Sequence, residues 1–207
     1  ISNNVTSAVD DENQNWYIAT DAQSYQNRRY FNYNKQSKPF LSIWNEYDDS
    51  WNYLNENNFS ELSNVIVNCM LNIDEQYLAL GTMDGLIVIP FEDRRRYKYI
   101  AKRDGLNDNI ILDLEHYNQN IFIMTYRGIS TYSLSNDIVI EENILEDYAL
   151  QDSDMLDMLL IDKNLFFSSR AGLFKLDINS RTLDKLSSNI FFKIDFYNGT
   201  ILGLNES

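Results

Sequence analysis

A repeat with steps of 43 and 44 residues constrains the fold of this chain more than any other feature of its sequence. In each repeat a hydroxyl residue is followed three positions later by glycine: Thr82 and Gly85, Thr125 and Gly128, Ser169 and Gly172. Apolar runs rich in Ile, Val, Phe and Tyr lie before and after each pair, bounded by Asn, Asp, Gly and Ser, and such runs are typical of β-strands. A step of about 40 to 50 residues is that of propeller blades. The repeat therefore predicts an all-β fold.

The register of the repeat predicts a single β-propeller domain of about four and a half four-stranded blades, which form an incomplete ring or a fragment of a larger propeller. The predicted blades are residues 1–63 with an insertion at 22–38, then 64–108, 109–153 and 154–188, and a partial blade at 189–207. An open ring exposes a blade face and strand edges. We therefore expect the remaining propeller blades or a second chain to close the ring.

The motif in the third unit resembles a known repeat. Asp104-Gly-Leu-Asn-Asp-Asn109, followed by Ile121-Phe-Ile-Met-Thr125-Tyr-Arg-Gly128-Ile129, is similar to the two-component regulator propeller repeat. The usual form of that repeat is a D-G-L-x-x-N turn, a strand and then W-I-G-T-x-x-G-L. The resemblance covers nearly the whole chain outside the insertion. It departs from the pattern because the Trp remains only at Trp16 and because Ser169 replaces Thr.

The resemblance implies the sensor region of a bacterial membrane-bound regulator, which perceives glycans or other small ligands outside the cytoplasm. Similar repeats also occur in secreted and cell-surface proteins, including parts of secretion machinery. The resemblance therefore implies a non-catalytic sensing module in a periplasmic, extracellular or cell-surface location. The alternative is a structural or protein-docking propeller of the cell surface or of a secretion system, and a glycan-active propeller enzyme is the third possibility.

One rim of the predicted propeller carries the candidate binding residues. When blades run from an inner to an outer strand, the turn between the second and third strands lies on the same rim as the link to the next blade. Loops on a rigid scaffold commonly carry function, so we expect a small-molecule or glycan ligand, or another protein, to bind there. The candidate residues are Asp84, Asp104, Asn107, Asp108, Tyr126, Arg127 and Arg170, with Arg28, Arg29 and Tyr30 of the insertion.

Two features of this rim each have two interpretations. Arg127 and Arg170 could hold a carboxylate or sulfate, or stack on a sugar ring, because a guanidinium offers a planar fork of donors. The alternative is that they are solvated turn residues on a very acidic surface. The basic and aromatic insertion at 22–38 is either an interface, where such residues are enriched, or a long hairpin that packs on its own blade.

Several classes of function find little support in the sequence. The net charge is −14 and the pI about 4.3, so no nucleic-acid partner is expected. No run approaches the roughly 18 apolar residues that a membrane helix needs, so no direct membrane insertion is expected. The only histidine is His116 and the only cysteine Cys69, so we expect no metal site and no cofactor. No phosphate loop or G-x-S-x-G elbow predicts catalysis.

Overall fold

The structure, a computed structural model, describes residues 5–20, 39–55, 65–141, 150 and 154–205. The chain divides into two compact units, Ile1–Tyr99 and Ile100–Ser207. The described strands form four four-stranded antiparallel sheets and a fifth sheet of two strands, and each sheet follows the order of the sequence. This confirms the predicted fold class, an all-β propeller type with four-stranded blades and a partial fifth.

Two sheets begin in the first unit, and their strands are consecutive in sequence. The first sheet contains β1 (Val5–Asp10), β2 (Asn15–Thr20), β3 (Pro39–Asn45) and β4 (Ser50–Asn55); the second contains β5 (Val67–Ile73), β6 (Tyr77–Thr82), β7 (Gly85–Pro90) and β8 (Lys98–Ile100). A short 3-10 helix, Arg94–Arg96, precedes β8. One buried core joins the two sheets and includes Tyr17 and Ile43 of the first sheet and Leu80 and Ile87 of the second.

The second unit contains the other three sheets. They consist of β9 (Ile111–Tyr117), β10 (Asn120–Thr125), β11 (Gly128–Ser133) and β12 (Ile138–Glu141); β13 (Met155–Ile161), β14 (Asn164–Ser169), β15 (Gly172–Asp177) and β16 (Thr182–Ser187); and β17 (Lys193–Tyr197) with β18 (Thr200–Leu204). A 3-10 helix, Lys102–Asp104, precedes β9. Phe122 and Met124 share a core with residues of the β13–β16 sheet, and Ile194 shares another with Phe166 and Leu173.

The absence of strict alternation in several strands has a structural cause. All six residues of β11 are buried, as are five of the six in β7. A strand that is covered on both faces has no solvent side to be polar. β13 covers 155–161 without a break, and β9 includes His116 near its end at Tyr117.

In β2 a tyrosine, and not the neighbouring tryptophan, stands where the two-component regulator propeller repeat has its tryptophan. Counting three residues back from the hydroxyl residue gives Tyr17 in the first repeat, Phe122 in the third and Phe166 in the fourth, and all three are buried. Trp16 lies on the other face of β2 and is partly exposed. Tyr17, not Trp16, therefore fills the aromatic position of the motif. Its hydroxyl donates to Asp11 Oδ2 at 3.0 Å, and burial raises its pKa to about 12.

The hydroxyl and glycine of each repeat form one tight turn. Thr82 Oγ1 donates to the carbonyl of Gly85 at 2.7 Å and accepts the Asp84 amide at 3.0 Å. Thr125 makes the same two bonds at 3.2 Å, and Ser169 accepts the Ala171 amide at 3.1 Å. A buried hydroxyl that satisfies turn amides explains why Ser can replace Thr here.

At position 172 both the backbone conformation and the available space require glycine. Its φ is +126°, and a Cβ there would lie 2.1 Å from the carbonyl oxygen of Ser187. Gly172→Ala is therefore expected to lower the free energy of unfolding by about 3 kcal/mol or more, since the strain and the clash add.

The matched control is Gly199→Ala. Gly199 has a φ of +78°, and a Cβ added there would meet nothing within 4 Å, so only the backbone strain applies, at about 1 kcal/mol. Urea denaturation of both variants measures the difference. Equal losses in the two variants would contradict a steric role for the Ser187 carbonyl.

Candidate functional site

The link before β9 is held by its own side chains. The Asp104 carboxylate accepts the Ala101 amide at 2.9 Å, and the Asn109 side chain accepts the Lys102 amide at 2.7 Å. Gly105 has a φ of +112°, which allows the sharp reversal after the 3-10 helix. The D-G-L-x-x-N motif therefore folds the link itself, and Asp104 acts mainly as a cap.

The link reaches the β10–β11 turn through three contacts. Asn107 donates from its amide to Ser130 Oγ at 3.3 Å and from Nδ2 to the Ile129 carbonyl at 3.4 Å. Its Oδ1 is buried and has no hydrogen-bond partner within the part of the chain that the structure describes. Arg127 Nε lies 3.2 Å from Asp108 Oδ2. The link and the turn thus form one edge of the sheet.

Tyr126 is an exposed residue of this edge. It precedes Arg127 in the two-residue turn, and about half of its surface is accessible to solvent (49%). Arg127 is also largely exposed, while Asp108 also accepts the Asn109 amide at 2.7 Å. The exposed Tyr126 is therefore the sequence neighbour of Arg127, whose partner Asp108 also bonds the backbone.

A second ion pair lies at the corresponding end of the next sheet. Arg170 Nε is 2.5 Å from Asp154 Oδ2, and the Arg170 amide donates to the Asp154 carbonyl at 3.2 Å. Arg170 is the first residue of its turn, whereas Arg127 is the second, because Thr125 and Ser169 are the equivalent residues. The two arginines therefore occupy adjacent rather than identical turn positions, and each faces a carboxylate of its own sheet.

The remaining candidates lie in two other places. Asp84 is in the β6–β7 turn of the first unit, where its carbonyl accepts the Tyr99 hydroxyl at 2.5 Å. Arg28, Arg29 and Tyr30, with the whole insertion at 22–38, lie outside the described residues, so their predicted role stays a prediction.

A set of carboxylates on the innermost strands was not predicted from the sequence. Asp113 of β9 accepts the Met158 amide, and Glu115 accepts the Leu160 amide at 3.1 Å. The next strand repeats the arrangement, since Asp157 accepts the Ile194 amide at 2.7 Å and lies 2.6 Å from Lys193 Nζ. Each carboxylate therefore bonds the first strand of the following sheet.

A periodic signal for this set was present in the sequence. Asp113 and Asp157 are separated by the same step of 44 residues as Thr125 and Ser169. The abundance of Asp and Glu hid it, because the chain contains 31 of them and chance spacings are common.

The environment of these groups changes their protonation. Burial raises the pKa of Asp113 from 3.8 to about 6, and burial raises the pKa of Glu115 from 4.5 to about 7. The nearby Asp157 carboxylate adds to both increases, while the backbone amides and Lys193 oppose them. The three acids are each engaged with a backbone amide. Among the described residues no three His, Cys, Asp or Glu side chains are placed to hold a metal ion.

Donor side chains join the inner strands of the first unit. Thr6 Oγ1 of β1 donates to the Val67 carbonyl at 2.8 Å, and Asn72 Nδ2 of β5 donates to the Asp10 carbonyl at 2.7 Å. Hydroxyl and amide side chains there bond the backbone of the neighbouring sheet, as the carboxylates do in the second unit.

The fold is similar to solved extracellular domains. The chain matches over 97% of its length the extracellular domain of the putative hybrid two component system BT3049 from B. thetaiotaomicron, with a TM-score of 0.69 and 17% identity. It matches over 96% the extracellular domain of the putative one component system BT4673 from the same organism, with a TM-score of 0.67 and 16% identity. PorZ, a surface component of the type-IX secretion system of Porphyromonas gingivalis, matches over 98%, with a TM-score of 0.67 and 11% identity.

These likenesses show the fold. The chain spans about a quarter of the length of these structures, 27%, 25% and 25% respectively. No protein-family model matches the sequence, and no curated protein matches it. In the described part of the chain, none of the helices has the length and apolar character needed to cross a membrane.

The raised pKa values predict a pH dependence of stability. The folded state binds the protons of Asp113 and Glu115 more tightly than the unfolded chain does. Protonation of these groups therefore adds to the free energy of unfolding. This stabilisation is fully present below about pH 4 and is lost as the pH rises through about 6 to 7. We expect the urea midpoint to rise as pH falls from about 8 to about 5.

The variant Asp113→Asn with Glu115→Gln tests the source of this dependence. It is expected to flatten the profile in this pH range, because neutral amides neither titrate nor carry the cost of a half-buried charge. Glu92→Gln, in an exposed turn, is the control and should leave the slope unchanged. An unaltered slope in the double variant would exclude these two groups as its source.

Removing Asp157 is expected to destabilise the attachment of β17. Asp157→Ala leaves the buried Ile194 amide without its acceptor, which costs about 2–3 kcal/mol. Lys193→Met keeps the hydrogen bond to the Ile194 amide and removes a mostly exposed cation from the buried Asp157 carboxylate, so it should cost less than Asp157→Ala. Chemical denaturation compares the two, and equal losses would assign the stabilisation to the ion pair instead of the amide.

Proposed function

We propose that this chain is a non-catalytic extracytoplasmic binding module and that its recognition surface is the rim of turns and links. The observation that carries the proposal is the edge formed by the 104–109 link and the β10–β11 turn. There Tyr126 is exposed beside the Arg127–Asp108 pair. The likeness to extracellular domains of two-component and one-component systems supports the extracytoplasmic location and the sensing role.

The chemistry of the rim favours a glycan or a similar polyhydroxylated ligand. Sugar rings stack on exposed aromatic side chains, and their hydroxyls bond both members of a carboxylate–guanidinium pair. Arg127 and Arg170 already face Asp108 and Asp154, so their positive charge is partly offset before a purely anionic ligand arrives. The net charge of −14 also opposes anions.

The contacts of the acidic groups support the absence of catalysis. Asp113, Glu115 and Asp157 each accept a backbone amide of a neighbouring strand. A general acid or base must reach a substrate atom at hydrogen-bond distance. His116 Nε2 contacts the carbonyl of Asn118. These groups are used for structure, and we assign none of them a catalytic role.

A second candidate is a docking propeller in an assembly at the cell surface. The likeness to PorZ, a surface component of a secretion system, favours it. The same rim would then bind a protein, for which Tyr and Arg are common anchor residues.

A panel of neutral and acidic oligosaccharides tests the glycan proposal by thermal shift and isothermal titration calorimetry. For the tightest ligand of the panel, Tyr126→Ala and Arg127→Ala are each expected to weaken binding about tenfold or more, since each removes one anchor. Arg95→Ala is the matched control, because its side chain is 93% exposed and lies outside the link and the turn.

Three outcomes separate the alternatives. Loss of binding in the rim variants alone supports the proposal. Equal binding by wild type, Tyr126→Ala and Arg127→Ala would contradict the assignment of the rim. Absence of binding across the panel would contradict glycan recognition and favour the docking role.

A further inference from the structure

All five methionines lie in the described part of the chain, and Met83 is the exposed one. Its side chain is 44% exposed in the turn between β6 and β7. The other four have exposed fractions of 8% or less: Met70, Met124, Met155 and Met158. An oxidant must reach a thioether to convert it to a sulfoxide. An oxidant dissolved in water therefore meets one accessible methionine in the folded protein.

The exposure of Met83 is a property of its position in the turn. Met83 follows Thr82 as Tyr126 follows Thr125, and Tyr126 is 49% exposed. Both turns lie in sheets that other four-stranded sheets precede and follow in the sequence. The side chain at this position therefore faces solvent at the ends of the strands, whether or not the sheet faces are covered.

A β-bulge in β5 directs Asn68 at the sulfur of Met83. The register of β5 on β6 shifts between Val67 and Cys69, so Asn68 is the extra residue of the bulge. Its Nδ2 donates to Met83 Sδ at 3.3 Å. A bulge can re-aim a side chain, and this one places an amide donor on one of the two lone pairs of the thioether.

Other sheets of the chain fold without such a pair. The equivalent bulge and turn residues of the next two sheets are different: Leu112 with Tyr126, and Leu156 with Arg170. The β6–β7 turn is held by Thr82 Oγ1 and by the Met83 amide, which donates to the Ile66 carbonyl at 3.0 Å. Chemistry at the Met83 side chain therefore leaves the backbone of the turn in place.

We propose that Met83 is an oxidation site, where hydrogen peroxide or a related two-electron oxidant forms methionine sulfoxide, and that Asn68 directs the oxygen to one face of the sulfur. The sulfur attacks one oxygen of the peroxide, an S–O bond forms, and the O–O bond breaks. The sulfur is oxidised by two electrons, and the hydroxide that leaves takes the proton of the transferred oxygen and becomes water. Because the Asn68 N–H engages one lone pair, the other one attacks, and one of the two sulfoxide epimers predominates.

This modification changes the chemistry of an exposed turn and keeps its shape. A thioether is apolar, whereas a sulfoxide is polar and its oxygen accepts hydrogen bonds. Oxidation therefore adds an acceptor at the turn position that Tyr126 occupies in the third sheet. Methionine sulfoxide reductases restore the thioether, so the modification is reversible. This chemistry does not depend on the proposed binding role.

Hydrogen peroxide labelled with oxygen-18 tests the site, because the label distinguishes oxygen added in the experiment from oxygen added earlier. Tandem mass spectrometry of a digest locates the label. In the folded protein Met83 is expected to gain it at least about tenfold faster than any buried methionine. In concentrated urea all five methionines should react at similar rates, and Met83→Leu should lose the fast addition. A rate at Met83 no higher than that of the buried methionines would overturn the proposal.

Two reductases that each accept one sulfoxide epimer test the role of Asn68. On peptides from the oxidised wild type, one reductase should remove at least about threefold more label from Met83 than the other. Asn68→Asp keeps the shape of the side chain without its N–H, and Asn68→Ala removes the group, so both variants should give the two epimers equally. Equal epimers in the wild type, or a preference that survives in Asn68→Asp, would overturn this role.

The urea midpoint of the protein oxidised at Met83 alone completes the test. It should equal that of the unoxidised protein, because Thr82 and the Ile66 carbonyl hold the turn. A lower midpoint would contradict a modification that leaves the turn in place. Far-UV circular dichroism confirms that each variant is folded.

Discussion

Hydrogen bonds from side chains to the edges of the innermost strands connect one sheet to the next. Each four-stranded sheet begins with an edge strand, which has backbone amides and carbonyls that no strand of its own sheet can satisfy. In the second unit Asp113, Glu115 and Asp157 accept such amides from the following sheet. In the first unit Thr6 and Asn72 donate to such carbonyls. Apolar packing holds the sheet faces together, and these bonds fix the register at their inner edges.

This arrangement divides the polar residues of the second unit between structure and recognition. The acidic groups of the inner strands are engaged with backbone amides, and two of them have raised pKa values because they are half-buried. The turns at the strand ends are held by buried hydroxyls, so their exposed residues do not have to maintain the fold. The hydroxyl of Thr125 therefore holds this turn without the side chains of Tyr126 and Arg127. This separation is compatible with the binding role that we propose.

The sequence predicted the blades because their determinants are local and periodic. A buried hydroxyl and a glycine with positive φ recur at the turns after β6, β10 and β14, and both types of residue are visible without the structure. It missed the inner carboxylates, because Asp113 and Asp157 look like surface acids until β9 and β13 are placed side by side. It aligned Trp16 with the family tryptophan, although the burial of Tyr17 shows that the neighbouring residue fills that position. Pairing of Arg127 with Asp108 depends on a link that folds back, and spacing alone does not encode that contact.

Amide hydrogen exchange of Met158, Leu160 and Ile194 tests most directly whether the inner carboxylates join the sheets. These amides belong to edge strands, and without an acceptor from a neighbouring sheet they would exchange like surface amides. We predict that all three exchange as slowly as amides paired inside a sheet, such as those of β10 and β14. Exchange of all three at the rate of exposed turn amides would contradict a role for the carboxylates in joining the sheets.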